Sequence, residues 1–243
     1  MKLLAVETST DACSAALYID GGISERFELT PKEHTRLILP MIDALMREAN
    51  LKPQQLDALA FSCGPGSFTG VRIATGVIQG IAMGADLPVV PISTLAAIAQ
   101  SFFDKNIVNE RYVEQENNYD QSELNVAFTA MDARMGEIFW GVYQRDLRNV
   151  ANLIGKESVG PACEVVFPFI NGVGVGSGWN VYDQELMSCL GGKVSYYESD
   201  HLPRASAIAR LGVLGFEQGN AVGVEQAMPV YLRDKVAKKE SER

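Results

Sequence analysis

The chain has 243 residues, of which 47% are apolar and 21% charged, with a formal net charge of −9. That length supports one large or two small domains with real cores. The acidic balance excludes a stand-alone nucleic-acid binder, which needs clustered Lys and Arg. The one basic cluster, Lys235, Lys238 and Lys239, is followed by Glu240 and Glu242 and reads as a solvated tail. No apolar run reaches the roughly 18 residues of a membrane span, and the first apolar run lacks the pattern of a secretory leader. A cytoplasmic protein is expected. Cys13, Cys63, Cys163 and Cys189 stand far apart with no C-x-x-C pair, the pattern of reduced, mostly buried thiols. Two histidines, His34 and His201, are a poor ligand supply for zinc.

In chain order, residues 3–8 and 13–19 are apolar runs joined by Thr8-Ser-Thr-Asp11, a β-hairpin. Gly21-Gly22 turns the chain into a third strand, Ile23 to Leu29. Thr30 as N-cap, Pro31 at the first helical position and Glu33 completing a capping box then predict a helix to about Asn50. His34, Ile38, Met41, Ile42, Leu45 and Ala49 fall on one side of it, and Pro40 inside it is expected to produce a kink. A strand over Leu56 to Cys63 leads to the loop Gly64-Pro-Gly-Ser-Phe-Thr-Gly70 and a helix over Val71 to Met83.

That loop either crowds backbone N–H groups around an anion or starts a closely packed helix. No Lys follows Gly70, so it is not a Walker A loop. Gly64, Gly66 and Gly70 miss the dinucleotide spacing by one, and Ser67 lacks the flanking glycines of a hydrolase elbow. Gly76, Gly80 and Gly84 recur every four residues, which places them on one helical face. Each costs about 1 kcal/mol relative to Ala, so close approach of another helix is expected to offset them.

A strand over Pro88 to Ile92 and a helix over Thr94 to Phe103 follow. Residues 104–124 are polar and acidic, a linker or surface insertion. The pattern then restarts. Val126 to Asp132 and Glu137 to Tyr143 form a second hairpin, with Glu7 matching Asp132 and Tyr18 matching Tyr143. Val173 to Gly178 is a second strand with a Gly-rich end, and Ala205 to Gln218 a last helix. Two related α/β lobes are implied, 1–103 and 125–243, the last helix able to pack back on the first lobe.

Five stretches together carry a resemblance. They are Leu4-Ala-Val-Glu-Thr-Ser-Thr10, Glu33-His-Thr35 with Leu39-Pro40, Gly64 to Ile73, Met131-Asp-Ala-Arg-Met-Gly-Glu137, and Pro229-Val-Tyr-Leu-Arg233. In these the chain resembles the TsaB (YeaZ) family, a component of the bacterial machinery that makes threonylcarbamoyladenosine in tRNA. The resemblance implies a two-lobed, actin-like and sugar-kinase-like (ASKHA) α/β fold, each lobe a mixed sheet with helices. Relatives in that superfamily bind ATP between the lobes. The match makes Glu7, Ser9, Thr10 and Asp132 the candidates for a nucleotide-phosphate or metal contact, against the plain alternative of strand-end groups that satisfy their own turns.

The resemblance also implies a non-catalytic scaffold. It would pair with a TsaD-type catalytic subunit through the first lobe's two helices, with a TsaE-type ATPase docking on the pair. The expected interface residues are His34, Ile38, Met41, Ile42, Leu45, Arg72, Gly76, Gly80 and Gly84. The protein alone would form a homodimer by the same surface. ATP and a divalent metal are expected in the partner subunits, none is required by this chain, and tRNA is reached only through the complex. The alternative is a nucleotide hydrolase or glycoprotease-like peptidase acting on its own. The lack of a Ser elbow and of a zinc pair disfavours the peptidase.

Overall fold

The computed structural model describes residues 1–112 and 123–233. The basic cluster near the C-terminus and residues 113–122 of the expected acidic insertion lie outside them. The first sheet contains β1 (Lys2–Glu7), β2 (Ala12–Ile19), β3 (Gly22–Leu29), β4 (Ala58–Gly64) and β5 (Val89–Ser93), in the order β3-β2-β1-β4-β5. β1 and β2 form the antiparallel hairpin, Leu4 opposite Leu17, and β1 pairs parallel with β4, Val6 beside Phe61. The second sheet contains β6 (Val126–Arg134), β7 (Glu137–Arg145), β8 (Ala151–Pro161), β9 (Gly172–Val175) and β10 (Val194–Glu198), in the order β10-β9-β6-β7-β8. Taken from its other edge, that order repeats the first sheet strand for strand, so the fold carries the duplication in its topology.

Among the described residues, six α-helices cover the two sheets: α1 (His34–Glu48), α2 (Phe68–Ala85), α3 (Thr94–Tyr112), α4 (Gly178–Val181), α5 (Asp183–Leu190) and α6 (Ala205–Glu217). Alternation along β1 sends its side chains to two cores. Leu4 and Val6 pack with Ile38, Met41, Ile42 and Leu45 of α1 and Ala74, Ile78 and Ala82 of α2. Leu3 and Ala5 pack on the opposite face with Ala205, Ile208 and Leu211 of α6. Contact there is close. A Cβ on Gly212 would stand 2.6 Å from the Ala60 methyl, and one on Gly215 would stand 2.7 Å from Val90.

The second sheet is sandwiched in the same way. Leu95, Ile98 and Phe102 of α3 lie against Ala127, Tyr143 and Val173, and Trp179, Leu186 and Leu190 lie against Phe128 and Trp140. α3, made directly after the first sheet, thus covers the second, and α6, made after the second, covers the first.

Several local expectations shift. α1 begins at His34, because Thr30 to Lys32 form a turn with Lys32 at φ +67°, and Glu33 stands at the N-cap without a side-chain cap bond. Its carboxylate pairs with Arg36 instead. α3 continues past Phe103 to Tyr112, so the first residues of the expected linker are helical. Asn106 is buried there, its side-chain amide donating to the Phe102 carbonyl. The whole of β8 and β10 was not foreseen. Of the four cysteines only Cys13 and Cys63 are buried.

Candidate partner-binding surface

The expected interface divides by helix. On α1, Ile38 and Leu45 are 1% exposed and Met41 and Ile42 below 10%, all inside the first core. These residues do not face a partner. The apolar stripe is consumed in covering β1, β2 and β4, whose facing residues Leu4, Val6, Leu17 and Phe61 need that cover. His34 is likewise internal. Its Nε2 lies 2.8 Å from the Thr10 carbonyl and 3.1 Å from that of Ala12. Two acceptors at one ring nitrogen assign it the proton, so His34 clamps the start of α1 to the hairpin. The outer side of α1 presents Thr35, Arg36, Leu39, Pro40, Asp43 and Arg47.

On α2 the expected residues do face outward. Arg72, Gly76, Gly80 and Gly84 are exposed, and a Cβ built on any of the three glycines meets nothing within 4 Å. Arg72 is the one charged residue of α2. Its guanidinium lies 3.3 Å from the centre of the Phe68 ring and 5.1 Å from that of Tyr231, and donates to the Phe68 carbonyl. The charge is therefore spread over two aromatic faces.

Phe68, Met83, Met228 and Tyr231 are between 51% and 76% exposed and extend this face. The segment after α6 joins it because the Val230 N–H donates to the Cys63 carbonyl at 2.7 Å and the Gln79 amide donates to the Ala227 carbonyl at 2.9 Å. Sequence reasoning singled out Pro229 to Arg233 as a motif but gave it no place, since nothing local reveals a contact made across the whole chain. Clustered exposed apolar side chains are a feature of interaction sites in general.

Of the candidate phosphate and metal residues, Glu7 and Ser9 lie in a closed environment, whereas Thr10 and Asp132 are only partly buried. Glu7 and Thr8 are fully buried and Ser9 is 1% exposed. The loop before α2 lies on them. The Ser67 N–H donates to the Ser9 carbonyl at 2.8 Å, Thr8 Oγ1 donates to the Gly70 carbonyl at 2.7 Å, and a Cβ on Gly70 would stand 2.0 Å from the Thr8 carbonyl oxygen. Glu7 Oε1 accepts from both the N–H and the hydroxyl of Ser9. Burial pushes the Glu7 carboxyl above its ordinary value, against the lowering effect of those donors.

Thr10 accepts from the Ala12 N–H through its hydroxyl. Asp132 accepts from the Arg134 N–H and pairs with its guanidinium at 3.1 Å. The Thr8 hydroxyl and the Ser9 N–H and hydroxyl are thus used within the chain, and a buried Glu7 carboxyl favoured in its neutral form is a poor metal ligand. Glu7 and Ser9, closed in this way, do not fit a nucleotide or its metal. A crevice of about 240 Å³ between β5, β8 and α6 is lined by Pro91, Ile92, Asn152 and Leu214 among others, and no charged side chain reaches it. Among the described residues, no three His, Cys, Asp or Glu side chains are placed to share a metal ion, and no helix is long and apolar enough to cross a membrane.

Two sandwiched sheets of one topology, with a hairpin at each centre, define the two-lobed α/β class to which actin-like and sugar-kinase-like proteins belong. Residues 19–176 match the family model for TsaD, tRNA N6-adenosine threonylcarbamoyltransferase. The chain is 38% identical over 242 residues to the tRNA threonylcarbamoyladenosine biosynthesis protein TsaB of Escherichia coli, covering 98% of this chain and 96% of that one. It is 37% identical over 246 residues to the protein of that name from Haemophilus influenzae, covering 97% and 95%. YeaZ from Pseudomonas aeruginosa superposes with a TM-score of 0.81 at 36% identity, over 95% of this chain and 99% of that chain. The chain belongs to the TsaB family.

Proposed function

We propose that this chain acts in the synthesis of threonylcarbamoyladenosine in tRNA as a non-catalytic subunit. It pairs with a TsaD-type transferase subunit in the cytoplasm, and a TsaE-type ATPase joins the pair. The observation that carries the reading is the outward face of α2, with three glycines open to close approach and Phe68, Arg72, Met83, Met228 and Tyr231 around them. A helix from a partner can lie directly on such a backbone ridge, while the thioethers adapt to its shape. The same face serves a homodimer when the partner is absent.

The closed setting of Glu7 and Ser9 supports the absence of chemistry in this chain, and in this reading ATP, the divalent metal and tRNA are handled by the partner subunits. The same sealing counts against an independent nucleotide hydrolase or peptidase.

The test is co-purification with the TsaD-type subunit, followed by a tRNA-modification assay with and without this chain. The pair should bury a standard interface of about 1,600 Å² or more. Gly80→Leu should leave the chain folded, because its side chain enters open space, and should abolish pairing. Normal pairing by Gly80→Leu sinks the α2 interface. ATP hydrolysis by the isolated chain that Asp132→Ala removes would replace the scaffold reading with an enzyme.

A further inference from the structure

The four thiols divide by environment. Cys13 and Cys63 lie in the first core, where burial, the largest effect, pushes the thiols up to about 11 and about 12. Such groups are inert toward oxidants, since the thiolate is the nucleophile. Cys163 and Cys189 are different. Both are free, Cys163 is exposed and Cys189 half-buried. Cys163 sits in the 3-10 turn Ala162–Glu164 and Cys189 in the last turn of α5.

The Cys189 Sγ lies 3.5 Å from the Cys163 carbonyl oxygen. The second sulfur therefore lies against the backbone of the first cysteine, the neighbourhood from which a disulfide can form when the two Cβ atoms come within about 4.5 Å. The backbone on both sides is anchored, because Ala162, Leu186 and Leu190 are buried in one core beneath them. The two thiols open into a shared surface cavity of about 480 Å³, whose other lining side chains, Gln184, Glu185 and Ser188, are polar. A small polar oxidant can enter there.

We propose that Cys163 and Cys189 form a hydroperoxide-responsive dithiol that closes into an intramolecular disulfide, pinning the Ala162–Glu164 turn to α5. One thiolate attacks the peroxide oxygen. The O–O bond breaks, a sulfenic acid forms, and water (or the alcohol of an organic peroxide) leaves. The second thiol then attacks the sulfenic sulfur, the S–S bond forms, the S–O bond breaks and a further water leaves. The two cysteines supply two electrons and two protons, and the peroxide is reduced by the same two electrons. A cellular dithiol reverses the step by exchange.

The experiment treats the purified full chain with dilute hydrogen peroxide, blocks remaining thiols under native and denaturing conditions, and reads intact mass and cross-linked peptides. The expected result is loss of two hydrogen atoms from the intact mass, a Cys163–Cys189 peptide as the main cross-link, and two remaining thiols that react only after denaturation. Cys189→Ser should form no cross-link and should yield a sulfenic adduct at Cys163 with a dimedone probe. Serine is nearly the size of cysteine and Cys189 is outside the buried core, so the variant's melting temperature should match that of the parent. Oxygen addition without a Cys163–Cys189 peptide, intermolecular dimers as the main product, or a native cross-link involving Cys13 or Cys63 would each overturn the proposal.

Discussion

The backbone N–H of Ser67 donates to the carbonyl of Ser9 at 2.8 Å, fastening the loop that starts α2 onto the hairpin between β1 and β2. The contact depends on two missing side chains, since a Cβ on Gly66 would stand 2.6 Å from the Ser9 carbonyl oxygen and one on Gly70 2.0 Å from that of Thr8. Both obstacles are backbone and cannot rotate away. Gly70→Ala should therefore cost about 3 kcal/mol in urea denaturation, while Gly80→Ala, in open space on a helix, should add about 0.5–1 kcal/mol. Equal effects of the two substitutions would contradict the described packing.

Glu7 should be better replaced by its neutral isostere than by a small residue. Its carboxyl is raised by burial, so its contribution to stability is full below the ordinary carboxylate value of 4.5 and is lost as pH rises through the folded value. Glu7→Gln keeps an acceptor for the Ser9 N–H and hydroxyl and removes the charge. Ser62 lies within reach of the same carboxyl, and neither its hydroxyl nor Glu7 Oε2 has another partner among the described residues. Glu7→Gln should equal or exceed the parent at about pH 8 and lose that advantage at about pH 5. Glu7→Ala should cost about 2 kcal/mol by leaving buried donors without an acceptor. Denaturation curves at the two pH values decide it.

Glu198 predicts the opposite pH behaviour. The His201 ring, the largest influence, and the Lys105 ammonium at 2.8 Å hold its carboxyl down at about 2. The stability from this depressed value is present above 4.5 and is lost as pH falls from there toward 2. With Lys105 half exposed, a figure on the order of 2 kcal/mol is expected. Glu198→Gln should flatten the acid limb of the melting-temperature profile across that window. An unchanged limb would show that the cluster carries no such linkage.

The Glu25 carboxylate caps the start of α6. It accepts from Arg204 Nε at 2.9 Å and Nη2 at 2.6 Å, and from the Ser206 N–H at 2.9 Å. Glu25→Ala should destabilise by about 1–2 kcal/mol, the Arg204 side chain being partly exposed. Hydrogen exchange should rise in α6 first. Arg204→Lys should lose part of this, because an ammonium cannot reproduce the two-pronged contact.

The elements with strong local signals were legible in the sequence. Both hairpins, α2 and α6 show clear periodicity, and the duplicated order of strands survives in the matching topologies of the two sheets. β8 was not legible. It is an edge strand with Lys156 and Glu157 inside it and Gly155 at φ +82°, so it shows neither apolar alternation nor a turn residue in its usual place. The four-residue spacing of the α2 glycines correctly placed them on one face, and that face is open in the fold. The α1 stripe was read with the right periodicity and the wrong destination. An apolar face of Ile38, Met41 and Leu45 is the same whether it covers the chain's own sheet or a partner's, and only the assembled fold separates the two.

The crossing of α3 and α6 between the sheets sets an order on synthesis. A ribosome delivers β1 to β5 well before Ala205, so the Leu3, Ala5, Ala60 and Val90 face is made long before the helix that shelters it. The nascent first half is an incomplete body with one greasy side, and it closes only when the second sheet and α6 have both emerged. A chain stopped short of α6 leaves that side open to chaperones or to aggregation, and the emergence of α6 is the event that completes the first half.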